Sequence, residues 1–226
     1  MIRDIQQSNS IPVSDSLSVQ SSQEIEIIFK FIDFSISKFY DYYLEYGDSE
    51  MEDRISDLLV SCFNEQLVLF KNGFLSVIFK NKPTEAGSTR QPDIGVEPKQ
   101  IKKPFKPIIV LEAKRLYDSS HSHEYVYGNT GGIERFKRCL HAVDDNICGM
   151  IGYIQVQDSN YWFAKVNDWI GGLAEENTDE TIDWTCENEK LIPVNSFMNG
   201  QKYSSLNHRK PKDDFIRILH YFVKLT

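Results

Sequence analysis

The sequence predicts an α/β protein with one mixed central sheet, on three observations. Apolar residues recur at helical spacing in several segments, short apolar runs of strand length lie between those segments, and the clearest run ends abruptly in charged groups. The order is helix, strand, strand, strand, helix, strand, with helical and strand additions at both ends. With 226 residues, 41% of them hydrophobic and 12% aromatic, the chain can bury one substantial core.

Residues 1–22 are rich in Ser, Gln and Asn, show no periodicity, and are expected to be a flexible arm. That leaves residues 23–226 as a single domain, with a core at about 50–156 and a C-terminal embellishment at about 157–226. Within 23–46, Ile25, Ile28, Phe29, Ile32, Ile36, Phe39 and Tyr43 recur every three or four positions, an amphipathic helix that Gly47 ends. A second helix spans about 50–66, with Ile55, Leu58, Leu59, Cys62 and Phe63 on one face. Its start, Ser49-Glu50-Met51-Glu52, has the form of a capping box in which Glu52 reaches back to the serine amide.

Asn72-Gly73 is a hairpin signal before a strand at 74–79, and polar residues 81–91 lead to a short strand at Pro92-Asp93-Ile94-Gly95-Val96. Residues 106–114 (KPIIVLEAK) read as a buried central strand. After a Ser-, His- and Gly-rich loop at 117–131, a helix starts beyond Gly131-Gly132. It turns Ile133, Phe136, Leu140 and Val143 inward and leaves Arg135, Lys137 and Arg138 outward. Residues 147–156 form another buried strand and 160–173 an amphipathic helix. The period of 214–225 is ambiguous, and its aromatic and β-branched residues lean towards strand.

Composition narrows the function classes. No stretch has the length and apolarity of a membrane span, and the N-terminal residues lack the layout of a secretory signal, so a cytoplasmic protein is expected. The four cysteines are scattered with no C-x-x-C pair, which reads as buried thiols rather than zinc ligands or disulfides. His121-Ser122-His123 could present two imidazoles to zinc from a strand, but no third ligand is evident. The net charge of −8 argues against an autonomous tight binder of nucleic acid. Yet residues 80–138 hold twelve bases against seven acids, a local +5 that leaves −13 for the remainder. A basic centre in an acidic body suits phosphate binding at one place, and Lys99, Lys102, Lys103 and Lys106 could track a phosphate backbone there.

The chemistry-bearing constellation is Asp93, Glu112 and Lys114. Residues two apart on a strand share a face, so Glu112 and Lys114 project together while Ala113 turns away. If the strand of Asp93 lies alongside, all three converge at one end of the sheet. Two carboxylates held close repel, and a hard divalent cation relieves that cost; magnesium needs only one or two carboxylates besides its waters and substrate phosphates. Such a metal lowers the pKa of a bound water, and Lys114 can hold or help deprotonate that water and neutralise developing charge.

Pro92-Asp93 followed by Glu112-Ala113-Lys114 at the end of an apolar strand resembles the PD-(D/E)xK nuclease superfamily, the restriction-endonuclease-like fold. The resemblance covers about residues 50–156. It implies a core of helix, three strands, helix and strand, and an acidic residue near the metals on the first core helix, for which Glu52 is the best fit. It further implies a magnesium site, with manganese as a substitute, held by Asp93, Glu112, Glu52 and the Ala113 backbone carbonyl. The helix after the motif lysine would contribute polar or basic groups, with Glu134, Arg135 and Lys137 as candidates, and Arg135, Lys137, Lys102 and Lys103 would engage nucleic acid. The expected activity is magnesium-dependent endonucleolytic cleavage, of DNA in preference to RNA. Given the acidic body, a partner protein or self-association is expected to deliver the substrate. The Gly131–Phe136 helix start and the Ser204–Arg209 segment before a final apolar strand look similar to nucleases of bacterial anti-phage systems. The alternative is a non-catalytic nucleic-acid-binding or assembly subunit on the same fold. The intact Asp93, Glu112 and Lys114 favour the enzyme.

Overall fold

A computed structural model describes residues 14–70, 77–83, 91–99, 107–128, 130–176 and 179–226 of the protein. Among them run five helices, α1 (Ser14–Tyr46), α2 (Glu52–Leu69), α3 (Gly132–Lys137), α4 (Ser159–Glu176) and α5 (Cys186–Glu189). The strands are β1 (Val77–Asn81), β2 (Ile94–Pro98), β3 (Ile109–Leu116), β4 (Ile147–Ile154), β5 (Ile192–Phe197), β6 (Gly200–Arg209) and β7 (Asp214–Lys224). They form one mixed sheet in the order β1-β2-β3-β4-β7-β6-β5. β1, β2 and β3 pair antiparallel, β3, β4 and β7 parallel, and β7, β6 and β5 antiparallel. No helix among the described residues is long and apolar enough to cross a membrane.

The three parallel strands are the centre because they are apolar on both faces, as a doubly covered strand must be. On β3, Ile109, Leu111 and Ala113 pack with α1 and α2, while Val110 and Leu116 pack with α3 and α4. Strand alternation therefore sends Glu112 and Lys114 to the α3 side. The first helix layer buries Ile28, Phe31, Ile32, Ile36 and Phe39 of α1 against Ile55, Leu59 and Phe63 of α2. Rings of Phe63 and Phe79 lie 4.6 Å apart, joining α2 to β1. Asp33 ties α1 to the far strands, accepting from Lys202 at 2.6 and 2.8 Å and from the Tyr221 hydroxyl at 2.8 Å. The second layer centres on Ile133, Phe136, Trp162, Val166 and Ile170.

Several boundaries differ from the sequence expectation. The first helix begins at Ser14, within the segment expected to be an arm, while residues 1–13 lie outside the described residues. Gly47 ends it as expected: its amide donates to the Tyr43 carbonyl at 2.7 Å, and a Cβ there would stand 2.4 Å from that oxygen. The Asn72-Gly73 turn and the first half of the strand at 74–79 also fall outside the described residues, β1 being the remainder.

The capping box does not form. Helix α2 starts at Glu52 with Met51 at the N-cap, and Ser49 Oγ accepts only the Met51 amide, at 3.2 Å. Glu52 turns instead to a cation, because a charged partner outcompetes a neutral amide for a carboxylate. Helix α3 is only six residues long, since Cys139 (φ 55°) and Ala142 (φ 51°) are left-handed and break it. Leu140 and Val143 are consequently half-buried rather than on a continued apolar stripe.

Lys137 also overturns its expected place on the outward, nucleic-acid-facing side. It is fully buried, ion-paired with Glu189, donating to the His208 carbonyl at 3.1 Å, and 4.8 Å from the Trp184 ring centre. Glu189 in turn accepts from the amides of His208 (3.1 Å) and Thr185 (2.9 Å). The C-terminal strands fold over α3 and enclose that side of the short helix, a packing the local period does not encode. Burial lowers the Lys137 pKa, and Glu189 opposes the shift. Glu189→Ala should cost about 3–5 kcal/mol in urea unfolding, because it strands a buried ammonium without its counter-ion; a loss under about 1 kcal/mol would show that the pair is not the pin between α3 and the C-terminal strands.

Candidate active site

β2 and β3 pair from Val96↔Ile109 to Ile94↔Leu111. One step further would set Asp93 opposite Glu112. There the ladder gives way to a side chain: Asp93 Oδ2 accepts the Ala113 amide at 2.8 Å. This bond locks the Asp93 carboxylate over β3 beside the Glu112 and Lys114 side chains. Proline at position 92 suits a strand entry, where its missing donor is not needed.

The spacing in the sequence does bring the expected residues together. Lys114 Nζ lies 3.4 Å from Glu112 Oε1, 4.0 Å from Asp93 Oδ2 and 3.2 Å from Glu52 Oε1. Glu52 enters from the first turn of α2 and its other oxygen accepts the Arg115 amide at 3.0 Å. Arg135 of α3 reaches across to pair with Glu112 Oε1. Glu112 is completely buried and Lys114 nearly so. The arrangement is three carboxylates around one ammonium in the second half of β3, just past the end of its pairing with β2, with a guanidinium at its border. The strand runs on to Leu116 instead of ending at the charged residues.

Two further residues belong to the site that sequence reasoning did not single out. His141 is fully buried with Nε2 3.6 Å from Glu112 Oε2. It follows the break in α3, where no periodic pattern announces which way a side chain turns. Arg115 donates to the Glu50 carbonyl at 3.3 Å and lies over the Tyr117 ring at 4.5 Å.

The expected phosphate-facing bases fare unevenly. Arg135 is at the site but engaged with Glu112, and Lys137 is interior. Arg138 pairs with Glu134 and Asp179, Lys80 with Glu97, and Lys82 with Asp53. Lys99 is exposed, while Lys102, Lys103 and Lys106 lie outside the described residues. Most of the described bases within 80–138 are thus neutralised internally, which gives a much weaker cationic face than the raw count suggests. His121 and His123 sit on a 3-10 turn, not a strand, and their rings pack against Tyr117 and Tyr127 respectively.

The electrostatics follow from burial. Burial first, then the Asp93 charge, raises the Glu112 pKa, with Lys114, Arg135 and His141 opposing. Glu52 is raised by burial and by Asp93, against the pull of Lys114. Burial works against the Lys114 ammonium, but Glu112, Glu52 and Asp93 outweigh it and hold its pKa above the ordinary range. Lys114 is therefore held as a cation, which disfavours a role in taking a proton from a water.

A divalent cation can be tested against these groups. Glu112 Oε2 is buried and accepts no hydrogen bond, so this oxygen has a lone pair open to a further ligand even though Lys114 and Arg135 pair with the other oxygen. Among the described residues no three His, Cys, Asp or Glu side chains form a ready-made metal cage. The set fits an open magnesium site, in which one or two carboxylates hold an ion that keeps its waters, and does not fit a closed all-protein one.

Lys114→Met should lower stability at neutral pH by about 3 kcal/mol or more, because three carboxylates lose their shared counter-ion. Glu52 and Glu112 already have folded pKa values above their unfolded ones, so their ionisation opposes folding as pH rises through the folded value. Their protonation removes the penalty below the ordinary carboxylate range. The deficit of Lys114→Met relative to wild type should accordingly shrink as thermal melts are taken from pH 8 towards pH 5; a constant or growing deficit would mean that Lys114 matters for packing, not charge.

No protein-family model, curated protein or solved structure matches the chain.

Proposed function

We propose that the protein is a magnesium-dependent endonuclease with a restriction-endonuclease-like core, acting on DNA in preference to RNA. One observation carries the reading. Asp93 and Glu112, from adjacent strands, and Glu52, from the preceding helix, enclose Lys114 on a buried strand. Burying so much charge costs stability unless function retains it. The element order from α2 to β4, helix, three strands, helix, strand, supports the core assignment. Conformity of Pro92-Asp93 and Glu112-Ala113-Lys114 to the nuclease pattern supports the chemistry.

Within this reading Asp93 and Glu112 hold the cation, with the Ala113 carbonyl and Glu52 as further oxygen donors. When bound, magnesium supplies an activated water and a counter-charge for the phosphate under attack. The protein's own groups do the rest. The Ala113 amide fixes the Asp93 carboxylate. Lys114 orients the attacking water and stabilises charge that develops on the phosphate oxygens. Glu52 holds Lys114 from the far side, and Arg135, paired with Glu112, would supply a cation for a phosphate at the border of the site.

Plasmid cleavage with magnesium, with manganese and with chelator is the direct test. Wild-type protein should nick or linearise DNA only with metal. Lys114→Ala should slow turnover by about 10²–10³-fold, the loss associated with one preorganised charge-stabilising group. Its magnesium binding by calorimetry should be retained, whereas Glu112→Gln should lose both. Metal-independent cleavage, or wild-type turnover by Lys114→Ala, would overturn this mechanism.

A second reading, a non-catalytic nucleic-acid-binding or assembly subunit, is favoured by one specific feature: Arg135 and Lys114 already neutralise Glu112. It is selected if DNA binds but is never cut with either metal. The internal pairing of the bases also makes weak intrinsic affinity the expectation, so delivery by a partner protein or a second copy fits the charge distribution. Binding of labelled duplex to Glu112→Ala should weaken steeply with salt as phosphate contacts release counter-ions; tight, salt-insensitive binding would remove the need for delivery.

A further inference from the structure

We infer that the ledge formed by Arg115, Tyr117 and His121, beside the carboxylate cluster, is a subsite for an unpaired nucleobase adjoining the scissile phosphate. The inference rests on the nuclease reading and names its substrate class: strands with a frayed, flapped or single-stranded nucleotide at the site, not a fully paired blunt duplex.

A cleft of about 130 Å³ opens next to Lys114, lined by Glu52, Arg115, Tyr117, His121 and Glu124 and floored by Tyr125. The Arg115 guanidinium stands 4.5 Å from the Tyr117 ring centre, and the imidazole of His121 lies nearly parallel to that ring, tilted by 15° with centroids 6.0 Å apart. Three flat groups thus meet at the cleft, with Tyr117 in contact with both of the others. The His121 edge of this cluster is open, since the His121 side chain is 68% exposed.

That imidazole is nonetheless held in place. Its Nδ1 is bonded to Ser120 Oγ at 2.9 Å and Asp118 Oδ2 at 3.2 Å, and Asp118 in turn accepts the Ser120 amide at 2.9 Å. Ser122 Oγ accepts the amides of Tyr117 (3.1 Å) and Asp118 (3.3 Å), closing the turn that carries both rings. An exposed ring fixed by several bonds loses little entropy on binding a flat partner. Stacking of bases on aromatic and guanidinium planes is how proteins hold unpaired nucleotides.

The charge in the cleft discriminates between the parts of a nucleotide. Glu52 and Glu124 line it together with Lys114 and Arg115, so its charges balance. A neutral base can stack there and offer an amino or imino hydrogen to the Glu124 carboxylate, while a phosphate is drawn to the Lys114 side. The phosphate belongs one step away, at Lys114. Lys114 lines the same cleft as Arg115, Tyr117 and His121, so a base held in the cleft and a phosphate at the cluster can be neighbours along one strand.

The test is binding, separate from cleavage. Glu112→Gln protein, without metal, is titrated with a labelled single-stranded oligonucleotide, a duplex carrying a single-stranded flap, and a blunt duplex of the same sequence. The single-stranded and flapped probes are expected to bind at least tenfold tighter than the blunt duplex. Adding His121→Ala, which alters an exposed side chain, or Tyr117→Ala should erase most of that difference while leaving blunt-duplex affinity and its salt slope unchanged. His121→Trp, which keeps a larger stacking plane, should restore or increase the preference. Equal affinity for the three probes, no binding to any, or a preference indifferent to both alanine substitutions overturns the subsite. Failure of the wild-type protein to cut any probe with magnesium, with the preference intact, overturns the nuclease reading and leaves the ledge as a base-binding surface.

Discussion

The Lys114 ammonium, placed between Glu112, Asp93 and Glu52, is the interaction on which the rest of the molecule turns. Three carboxylates cannot be brought together at a buried strand unless something offsets both their desolvation and their mutual repulsion. One fixed cation within 4.0 Å of all three does so, with Arg135 assisting at Glu112. Placing that cation requires β3 to be central, so that the stretch from Glu112 to Lys114 is dry. It requires Asp93 to leave the β2 ladder and take the Ala113 amide, and it requires α2 to start at Glu52 rather than earlier. The abandoned capping box is a consequence of the site, since the carboxylate that would have closed it is committed to Lys114 and the Arg115 amide.

The remaining architecture supports β3 from both sides. The first helix layer covers Ile109, Leu111 and Ala113, and the second covers Val110 and Leu116. Gly152 is aligned with Lys114 on the neighbouring strand, and a Cβ there would stand 2.6 Å from Leu116 Cδ1. A side chain at that position would therefore disturb the strand that carries the site. Beyond β4, the strands β7, β6 and β5 extend the sheet, and the buried Lys137–Glu189 pair fastens α3 to them. Arg135 sits on that same short helix. The position of a group at the site thus depends on an ion pair in the C-terminal embellishment, which connects the two parts of the chain energetically.

The elements that could be read from the residues are those governed by local pattern. The apolar stripe of α1, the four-residue apolar run of β3, the buried strand β4 and the amphipathic α4 all emerged from period and composition. Residues 214–225, whose period was ambiguous, proved to be strand, in keeping with their aromatic and branched content. What failed were statements that needed a neighbour. Arg135, Lys137 and Arg138 look alike on a helical projection of a helix six residues long, yet one is at the site, one is interior and one is tied to Asp179. Counting bases over 80–138 likewise overstated the cationic face, because it could not see which carboxylates close onto them.

By itself the sequence determined the α/β class, the order of elements from α1 to α4, and the grouping of Asp93, Glu112 and Lys114, because each follows from short-range rules: alternation along a strand, a proline before an acid, and charge at the end of an apolar run. The elements α5, β5 and β6 carried no such pattern. Only the tertiary structure decided that Glu52 serves the cluster instead of its helix cap, that His141 and Arg135 converge on Glu112, and that Lys137 is buried. Those outcomes depend on contacts between residues far apart in the chain, such as Glu52 with Lys114 and Lys137 with Glu189. A buried charge goes to whichever opposite charge the packing brings within reach, and that choice is made by the assembled layers.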